Sequence, residues 1–518
     1  MPCLGNLCLI PVSGQRPKCT TFMVVVACSC LCFAMSCSNT TVTIPSQPGV
    51  TGDFSNASLK GNYTYLLGGN SFNSSSVNGN YERAGIFVAD GNGKLTSGMD
   101  DFIQGGVLSS NNITGSYAIA ADGTGLMTVN ISTGQQLQWA ITVAPNSRVY
   151  LIDFDPTSSG SGQATQQDTS AFSKPLGGTF VFRLHAYQPN IPSQGSVSAV
   201  GNFVFNHSSV SGNEDVVRLG TFRSLTLSGT LTAADKSGRG TFDLKDNAGF
   251  ETTYLYYFVD SQTLNLLETD FGHLGTGTAI AQQRGPFSNG SLKDGFTFRS
   301  FGDTLNHIDG INSAGVLISD GEGHITGGGC DSNQDGVPLQ NASLTGNYQV
   351  EADGRVTLTL NPVLQSQNLN PIQDVAWMID SSRTLFLVNV SGLAEDGRML
   401  QQQGGPFSAS SLNGKYSFLM FGYDQQNPIE IDRTGAMTFD GSSTVKLSNY
   451  FVNRGGSRDQ TQSSGGTYTI SADGRLSASI SGITKALVVY LNSSDSGDLI
   501  LGDKGDELSG TIAKAPTP

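Results

Sequence analysis

The stretch NYERAGIFVADGNGKLTSGMDDFIQ, residues 80–104, contains two runs of alternating side chains separated by the tetrapeptide DGNG. Alternation with a period of two predicts β-strands that each bury one face. Because Gly accepts a positive φ and Asp tolerates it, residues 90–93 suit a tight hairpin turn. The stretch therefore predicts an antiparallel β-hairpin.

Similar runs continue on both sides of this hairpin, separated by turns rich in Gly, Asp, Asn or Ser. Eight are present in the first unit of the chain, at residues 61–69, 80–90, 94–104, 111–122, 125–133, 135–144, 148–155 and 160–168. Consecutive short hairpins predict an antiparallel meander. No segment after residue 36 shows sustained helical periodicity.

The unit recurs along the chain. Its opening motif is SLKGNYTYLL at 58–67, PLGGTFVFRL at 175–184, SLKDGFTFRS at 291–300 and SLNGKYSFLM at 411–420. A turn containing Ala-Asp and Gly follows in each unit, at Asp122, Asp235, Asp353 and Asp473. Self-similarity at a fixed interval predicts tandem domains. The expected organisation is a leader at 1–37, a tether at 38–56, and β repeats at 57–174, 175–288, 289–408 and 409–518.

Each repeat is expected to be an all-β domain of about eight strands. Eight meandering strands close into a small up-and-down barrel of the lipocalin or avidin kind, whose interior is filled by side chains or holds one small ligand. Closure also removes the exposed edges that promote aggregation. A two-sheet β-sandwich is the second alternative. A β-propeller with two four-stranded blades per repeat is the third.

The N-terminal segment has the pattern of an export signal. Seven of the eight cysteines lie in the first 37 residues, and Arg16 and Lys18 precede an apolar run at 21–35. The segment AMSC at 34–37 resembles a bacterial lipobox, which implies diacylation of Cys37 and cleavage before it. An ordinary cleaved signal and an uncleaved anchor are alternatives, although the run is shorter than the roughly 20 residues of a membrane-spanning helix.

Export and lipidation together predict an envelope protein. Two or more acyl chains hold a protein stably on a membrane, so the domains themselves need no membrane-binding face. The expected location is the cell envelope, with the chain anchored to the outer membrane or cell surface through Cys37. Residues 38–56, rich in Ser, Thr and Pro, would form a flexible tether.

Net charge argues against nucleic acid as a partner. The chain carries a formal charge of -14, which becomes -16 without residues 1–36, because that segment contains two basic residues and no acidic one. An acidic surface repels phosphate backbones, and no stripe of Lys and Arg with interleaved aromatic residues compensates.

Only weak candidates for chemistry are present. Asp331, Asn333 and Asp335 have the spacing of the first half of a calcium loop, but Ala342 stands where the loop needs a bidentate Glu. An acid in a turn or at a strand end is the simpler interpretation, because Asp100 and Asp101 in the first repeat and Glu214 and Asp215 in the second occupy the comparable place. No nucleophile elbow, phosphate-binding loop or zinc motif is present, and no catalytic residue is assigned.

Two tryptophans and one cysteine complete the candidates. Trp139 and Trp377 align at corresponding positions of the first and third repeats, which predicts core residues or, alternatively, a sugar-stacking platform. Cys330 has an acidic neighbour, which would raise the thiol pKa and favours an inert thiol.

The mature chain resembles uncharacterised multi-repeat bacterial surface lipoproteins, whose repeats open with SL-x-G-x-Y-x-F, turn on ADGNG-like hairpins and close with Q-x-x-x-x-F-S. The matching residues are Ser58, Leu59, Gly61, Tyr63, the turn at 90–93, Phe172 and Ser173. The resemblance implies a location in the cell envelope and no established activity.

Three functions are consistent with these observations. The favoured one is a non-catalytic repeat array for adhesion, surface binding or spacing, with an extracellular glycan or protein as partner and the membrane reached through the lipid anchor. The second is a set of small-ligand-binding barrels, which requires a cavity inside each barrel. The third is a carbohydrate-active hydrolase, which requires a pair of carboxylates.

Overall fold

The computed structural model describes residues 52–72, 79–188, 195–270, 273–303, 310–380, 384–390, 393–425, 429–461, 463–482 and 484–516. All of them belong to one compact unit, Thr41–Pro518. The predicted signal peptide and the predicted lipidation site Cys37 lie outside the described residues. None of the helices in the described part of the chain is long and apolar enough to span a bilayer.

Four groups of strands follow one another along the chain. Barrel one contains β1 Lys60–Ser71, β2 Asn80–Asp90, β3 Lys94–Gln104, β4 Val107–Ile119, β5 Thr124–Ile131, β6 Gln136–Ala144, β7 Arg148–Asp153 and β8 Ser158–Gln166. Barrel two contains β9 Gly177–Gln188, β10 Gly195–Asn206, β11 Ser209–Arg218, β12 Thr221–Leu231, β13 Arg239–Asp246, β14 Glu251–Asp260, β15 Thr263–Glu268 and β16 Leu274–Ala281.

The other two groups each include one additional short strand. Barrel three contains β17 Lys293–Asp303, β18 Gly310–Asp320, β19 His324–Gln334, β20 Val337–Val350, β21 Arg355–Leu364, β22 Gln367–Asn368, β23 Ile372–Met378, β24 Thr384–Asn389 and β25 Ala394–Gln401. Barrel four contains β26 Asn413–Asp424, β27 Ile429–Asp440, β28 Thr444–Arg454, β29 Ser457–Thr461, β30 Ser464–Ile470, β31 Arg475–Ile480, β32 Thr484–Ser493, β33 Ser496–Leu501 and β34 Asp506–Lys514.

Each group closes on itself through antiparallel pairs. In barrel one, Tyr65 of β1 lies opposite Gly85 of β2 and Ala164 of β8, so the first strand joins the second and the last. Barrel two closes in the same way between β9 and β16. In barrel three β20 pairs with β21, and in barrel four β29 and β30 together flank β28 where the other barrels have one strand. The predicted four up-and-down barrels are confirmed, and the sandwich and propeller alternatives are wrong.

Alternation along the strands sends one set of side chains into each barrel. Tyr63, Tyr65 and Leu67 of β1 belong to the buried cluster inside barrel one, where the rings of Tyr65 and Trp139 are 5.1 Å apart. Comparable clusters fill the other three interiors. Among the described residues these interiors are hydrophobic cores, so the alternative of small-ligand sites inside the barrels is not supported.

A short 3-10 turn precedes the first strand of every barrel. These turns are Asn56–Ser58, Thr169–Ala171, Asn289–Ser291 and Ala409–Ser411. In barrels one and three a buried tyrosine fixes the turn: Tyr117 donates a hydrogen bond to the Leu59 carbonyl at 2.6 Å, and Tyr348 donates one to the Leu292 carbonyl at 2.7 Å. The turn thereby sets the position at which each first strand enters its barrel.

The four barrels form a closed ring. Barrel one contacts barrel two through β2 and β16, barrel two contacts barrel three through β10 and β25, and barrel three contacts barrel four through β18 and β34. The ring is completed by β27 of barrel four, which contacts β6, β7 and β8 of barrel one. The first and last barrels are therefore neighbours although they are separated by most of the chain.

Candidate functional site

Three of the four seams between barrels contain the same ion pair. Arg355 of barrel three places Nε and Nη2 each 2.8 Å from the carboxylate of Asp215 in barrel two. Arg475 of barrel four does the same to Asp331 of barrel three, with both distances at 2.7 Å. Such bidentate pairs are among the strongest charge-assisted hydrogen bonds. We call this arrangement the Arg–Asp clamp.

The third clamp joins barrels two and one. Arg239 Nε lies 2.7 Å from Asp101, which is fully buried. In each clamp the residue directly opposite the arginine on the next strand donates a further hydrogen bond to the same carboxylate. These donors are Tyr257 to Asp101, Trp377 to Asp215 and Tyr490 to Asp331.

The strand register corrects the expectation that the tryptophans correspond. Trp377 lies opposite Arg355 and faces the neighbouring barrel, whereas Trp139 lies opposite Met127 and is part of the core of barrel one. Both are buried, so neither forms an exposed sugar-stacking platform. The residue of barrel one equivalent to Trp377 is Thr142, opposite Thr124.

The fourth seam replaces the clamp with neutral contacts. At the place of the clamp aspartate, barrel four has Phe451, whose ring packs 5.4 Å from that of Phe154 in barrel one. At the place of the clamp arginine, barrel one has Thr124, whose hydroxyl accepts a hydrogen bond from Asn449 at 2.8 Å. The seam that closes the ring therefore lacks the buried charge pair that the other three seams contain.

The structure gives the predicted calcium residues roles in the seam and in a turn. Asp331 is the clamp carboxylate, and Asn333 donates to the carbonyls of Leu501, Asp503 and Asp506 in barrel four at 3.0–3.1 Å. Asp335 lies in the following turn with φ of 54°. Within the described ranges, no group of three or more His, Cys, Asp or Glu side chains is arranged to hold a metal ion. Cys330 is buried, and burial raises its pKa to about 12.

A cavity of about 620 Å³ lies at the centre of the ring. It is lined by the first and last strands of all four barrels, so it belongs to no single barrel. The ninth residue of each opening motif lines it, and these residues are Leu66, Arg183, Arg299 and Leu419. At this position of the motif, barrels one and four thus contribute apolar side chains to the cavity wall, and barrels two and three contribute arginines.

Four arginines line this cavity, and we call three of them, Arg183, Arg299 and Arg398, the arginine cluster; the fourth is Arg148. Arg183 pairs with the buried Asp396 at 2.6 Å, and Arg398 pairs with the buried Asp498 at 2.5 Å. Arg299 has a longer contact to that second carboxylate, 3.7 Å from Nε, and its guanidinium carbon lies 5.7 Å from the centre of the Phe421 ring. Its Nε and Nη1 are buried without a hydrogen-bond partner among the described residues.

The electrostatics of Arg299 reflect this shortage of partners. Burial, together with the nearby positive charge of Arg398, lowers the pKa of its guanidinium to about 10. Removing a charged group from water costs free energy unless a partner compensates. Arg299 is therefore held in the cavity wall at a cost to stability.

Carboxyl groups of Glu82, Glu430 and Glu507 also line the cavity. Glu82 lies opposite Gly68, which is two residues after Leu66 on β1. Glu430 lies opposite Tyr423, which is four residues after Leu419 on β26. Burial raises the pKa of Glu82 to about 8, and burial with the neighbouring charge of Asp432 raises that of Glu430 well above its ordinary value. Glu82 is therefore mainly a neutral acid at pH 7.

Comparison with known proteins gives little further information. No family model matches the chain, and no curated protein matches it. Two solved structures align over most of both chains, namely a transferrin-binding protein B mutant from Haemophilus parasuis (8% identity, 91% of this chain and 99% of that one, TM-score 0.19) and an intact transferrin-binding protein B with N and C lobes (9% identity, 92% and 97%, TM-score 0.18). Similarity at this level carries no argument about function.

Proposed function

We propose that this chain is a non-catalytic, lipid-anchored protein of the bacterial cell surface, and that its ring of four barrels is a rigid platform for binding an extracellular glycan or protein. The proposal joins the lipobox-like segment ending at Cys37 to the architecture of the described residues. It also places the chain among the multi-repeat surface lipoproteins that its opening motifs resemble.

Closure of the ring is the observation that carries the choice of binding over spacing. A spacer gains reach from a linear succession of domains, but here β27 of barrel four contacts barrel one. The seams hold the four outer surfaces at fixed separations, which suits simultaneous contact with a repeating or extended partner. A closed ring is therefore better suited to multivalent binding than to extending the protein away from the membrane.

Filled barrel interiors direct binding elsewhere. Because the side chains of each barrel form a core, recognition falls to the outer surfaces and to the central cavity. The alternative of a carbohydrate-active hydrolase requires two carboxylates placed across a bound sugar. Turnover of any polysaccharide in a broad panel would favour that alternative over a binding protein.

Anchoring is tested separately from binding. The full chain, Cys37→Ala and Cys32→Ala are expressed in a bacterial host fed a labelled fatty acid, and membranes are separated from other fractions. We expect label and membrane association in the native chain and in Cys32→Ala, and loss of both in Cys37→Ala. Label retained by Cys37→Ala would refute lipidation at this residue.

Binding is tested with the chain from Ser38 onward on a glycan array and in pull-downs with extracellular proteins. Saturable binding to at least one polymer or protein is expected. A chain containing only barrels one and two is the comparison, because it lacks the closed ring. Equal apparent affinity of both chains would show that the ring does not contribute avidity.

A further inference from the structure

We propose that the fourth seam is a pH-dependent closure of the ring, which holds while the carboxyl groups of Asp432 and Glu430 carry protons and opens when they ionise. This goes beyond the proposed surface function and does not depend on it, because it concerns the joint between barrels four and one. It rests on a cluster of buried carboxyl groups at this seam and on the contrast with the three clamped seams.

Asp432 is the centre of the cluster. Its side chain is fully buried, and Oδ2 accepts a hydrogen bond from the Ser159 hydroxyl of barrel one at 2.5 Å. Oδ1 has no hydrogen-bond partner among the described residues. On the neighbouring strands of barrel four, the residues directly opposite are Phe421 and Asn453, which are both uncharged. Burial in such surroundings disfavours the ionised carboxylate and favours the protonated acid.

Barrel one presents further charged groups at this seam. Asp153, at the end of β7, accepts a hydrogen bond from Tyr81 of β2 at 2.5 Å, and Asp155 follows it in the chain. Burial, followed by the charge of Asp153, raises the pKa of Asp155 to about 7. Arg83 of β2 pairs with Asp100 of its own barrel at 2.6 Å. Barrel one thus contributes two acids to the seam, while this arginine is neutralised within the barrel.

The arginines of barrel four are also engaged away from the two acids of β27. Arg433 and Arg454 both pair with Asp506, at 3.3 and 3.1 Å. Arg458 donates a hydrogen bond to the Phe154 carbonyl of barrel one at 3.0 Å. Within the part of the chain that the structure describes, neither acid of β27 forms an ion pair. Ionisation of these acids would therefore place uncompensated negative charge against the acids of barrel one.

The direction of the response follows from burial. Burial raises the pKa of Asp432 to about 8, against an ordinary value of 3.8. Burial, followed by the charges of Asp432 and Asp153, raises the pKa of Glu430 well above its ordinary value. The closed seam therefore holds more protons than the open one, and each extra proton makes the ratio of closed to open rings fall tenfold per pH unit. Closure is strongest below about pH 4 and weakens until the pH has passed about 8.

The seam between barrels one and two shows why the ring opens at only one place. Glu82 occupies the position of β2 that corresponds to Asp432 of β27, and it accepts a hydrogen bond from Thr276 of barrel two at 3.0 Å. Burial raises its pKa as well. That seam, however, also contains the clamp between Arg239 and Asp101, and the fourth seam has no clamp. We therefore expect the fourth seam to open first as the pH rises.

Two pairs of dyes follow the seams in the unanchored chain used for the binding test, with Cys330→Ala to remove the buried thiol. One pair, on Gln136→Cys of barrel one and Asp459→Cys of barrel four, spans the fourth seam. The other pair, on Arg223→Cys of barrel two and Gln373→Cys of barrel three, spans a clamped seam. All four labelled positions are exposed. Single-molecule energy transfer is recorded from pH 5 to 9.

At pH 5 we expect a single high-transfer population for both dye pairs. Between pH 5 and 8 the ratio of closed to open rings reported by the fourth-seam pair should fall at least tenfold per pH unit. The clamped-seam pair should keep its high transfer over the same range. Return to pH 5 should restore the closed population, because only protons have been exchanged.

Asp432→Asn is the decisive variant, because the amide keeps the shape of the side chain and cannot ionise. It should make the closed-to-open ratio less dependent on pH than in the native chain. Asp432→Asn combined with Glu430→Gln should keep the fourth-seam pair at high transfer up to pH 9. Asp495→Asn, which removes an acid of barrel four whose side chain is 66% exposed, is the matched control and should open as the native chain does.

Three results would overturn the proposal. These are unchanged transfer of the fourth-seam pair up to pH 9, an equal change of the clamped-seam pair, and undiminished opening in the double variant. If the variants do not fold, the native chain still decides, since a ratio that changes less than about threefold per pH unit would mean that the closed seam holds no extra proton. Loss of lipidation or of glycan binding leaves these outcomes unaffected, so the two proposals fail separately.

Discussion

Arg475 Nε and Nη2 each lie 2.7 Å from a different carboxylate oxygen of Asp331, and this pair joins barrel four to barrel three. The carboxylate is fully buried and also accepts a hydrogen bond from Tyr490 at 2.5 Å. Hydrogen bonding to Asp331 raises the pKa of Arg475 above its ordinary value. The same arrangement recurs at two other seams, so the ring depends on a repeated feature.

Breaking this clamp should destabilise the protein. Asp331→Ala or Arg475→Ala leaves one charge buried without its partner, which costs about 3–5 kcal/mol of unfolding free energy. The exposed pair Lys245–Glu251 is the control, and Glu251→Ala should cost less than about 1 kcal/mol. Denaturant unfolding measures both, and equal effects would contradict a structural role for the clamp.

The fourth seam supplies a replacement for the clamp. Asp331→Phe combined with Arg475→Thr copies the residues that Phe451 and Thr124 place at the corresponding positions. We expect the double variant to lose less stability than either single substitution, since replacing a buried ion pair by packed neutral groups is often nearly neutral. Additive losses would show that the two seams are not interchangeable.

Asn453 should be important for ring closure. Its side-chain amide donates to the carbonyls of Asp153, Asp155 and Ser158 in barrel one, at 2.7–3.2 Å. Asn453→Ala leaves buried acceptors unsatisfied and should cost about 1–3 kcal/mol. Asn130→Ala, at an exposed position of β5, is the control and should change the melting temperature little.

Stability should fall as pH rises from about 5 to 9. Burial raises the pKa of Glu82 to about 8, that of Asp432 to about 8 and that of Glu214 to about 7. In the unfolded chain these groups ionise near pH 4, so their contribution is complete below that pH and is lost as pH rises through the folded pKa values.

Carboxyl groups with a lowered pKa determine the pH below which stability falls again. Hydrogen bonds from the backbone N–H groups of His324 and Glu322 lower the pKa of Asp320 to about 2, so its contribution is lost only below about pH 4. The melting temperature is therefore expected to be highest near pH 4–5. Glu82→Gln should flatten the decline above pH 6, and an unchanged slope would contradict the raised pKa of Glu82.

Arg299→Leu should raise stability. The substitution removes a buried cation with two unpaired nitrogens, and Arg398 still neutralises Asp498. A gain of about 1–3 kcal/mol is expected from the desolvation cost that is removed. Thermal unfolding measures it, and a loss of stability would show that the 3.7 Å contact to Asp498 contributes more than burial costs.

Calcium is expected to leave the melting temperature unchanged. Asp331 and Asn333 are engaged by Arg475 and by three backbone carbonyls of barrel four, so binding an ion there would require the seam to open. Thermal unfolding with excess calcium and with a chelator tests this. A rise in melting temperature with calcium would restore the loop hypothesis.

The strands were largely predictable because each has one face in a core. The runs at 80–90 and 94–104 match β2 and β3 at both ends, since the DGNG turn fixes their register. The run at 111–122 was displaced, because β4 begins at Val107, which is 65% exposed and gives no periodic signal. Alternation identifies a buried face but not an exposed extension of the strand.

The sequence contains a signal for the clamps, although the aspartates taken alone predict only acids at turns or strand ends. Asp101, Asp215 and Asp331 recur at one position of their repeats, and Arg239, Arg355 and Arg475 follow the Ala-Asp turn in three repeats. A recurring acid and a recurring base in a buried strand indicate pairing between repeats. The central cavity had no such signal, because its walls come from four barrels whose docking angles depend on all seams together.

Phe54, just before barrel one, and Ala515, just after barrel four, both contact Lys415. The Lys415 ammonium lies 5.9 Å from the centre of the Phe54 ring, and its carbonyl accepts a hydrogen bond from the Ala515 amide at 2.9 Å. The contacts around the ring therefore do not require barrel one to come first in the sequence. A permuted gene that starts at barrel three and joins residues 515 and 54 by a short flexible linker should encode the same assembly.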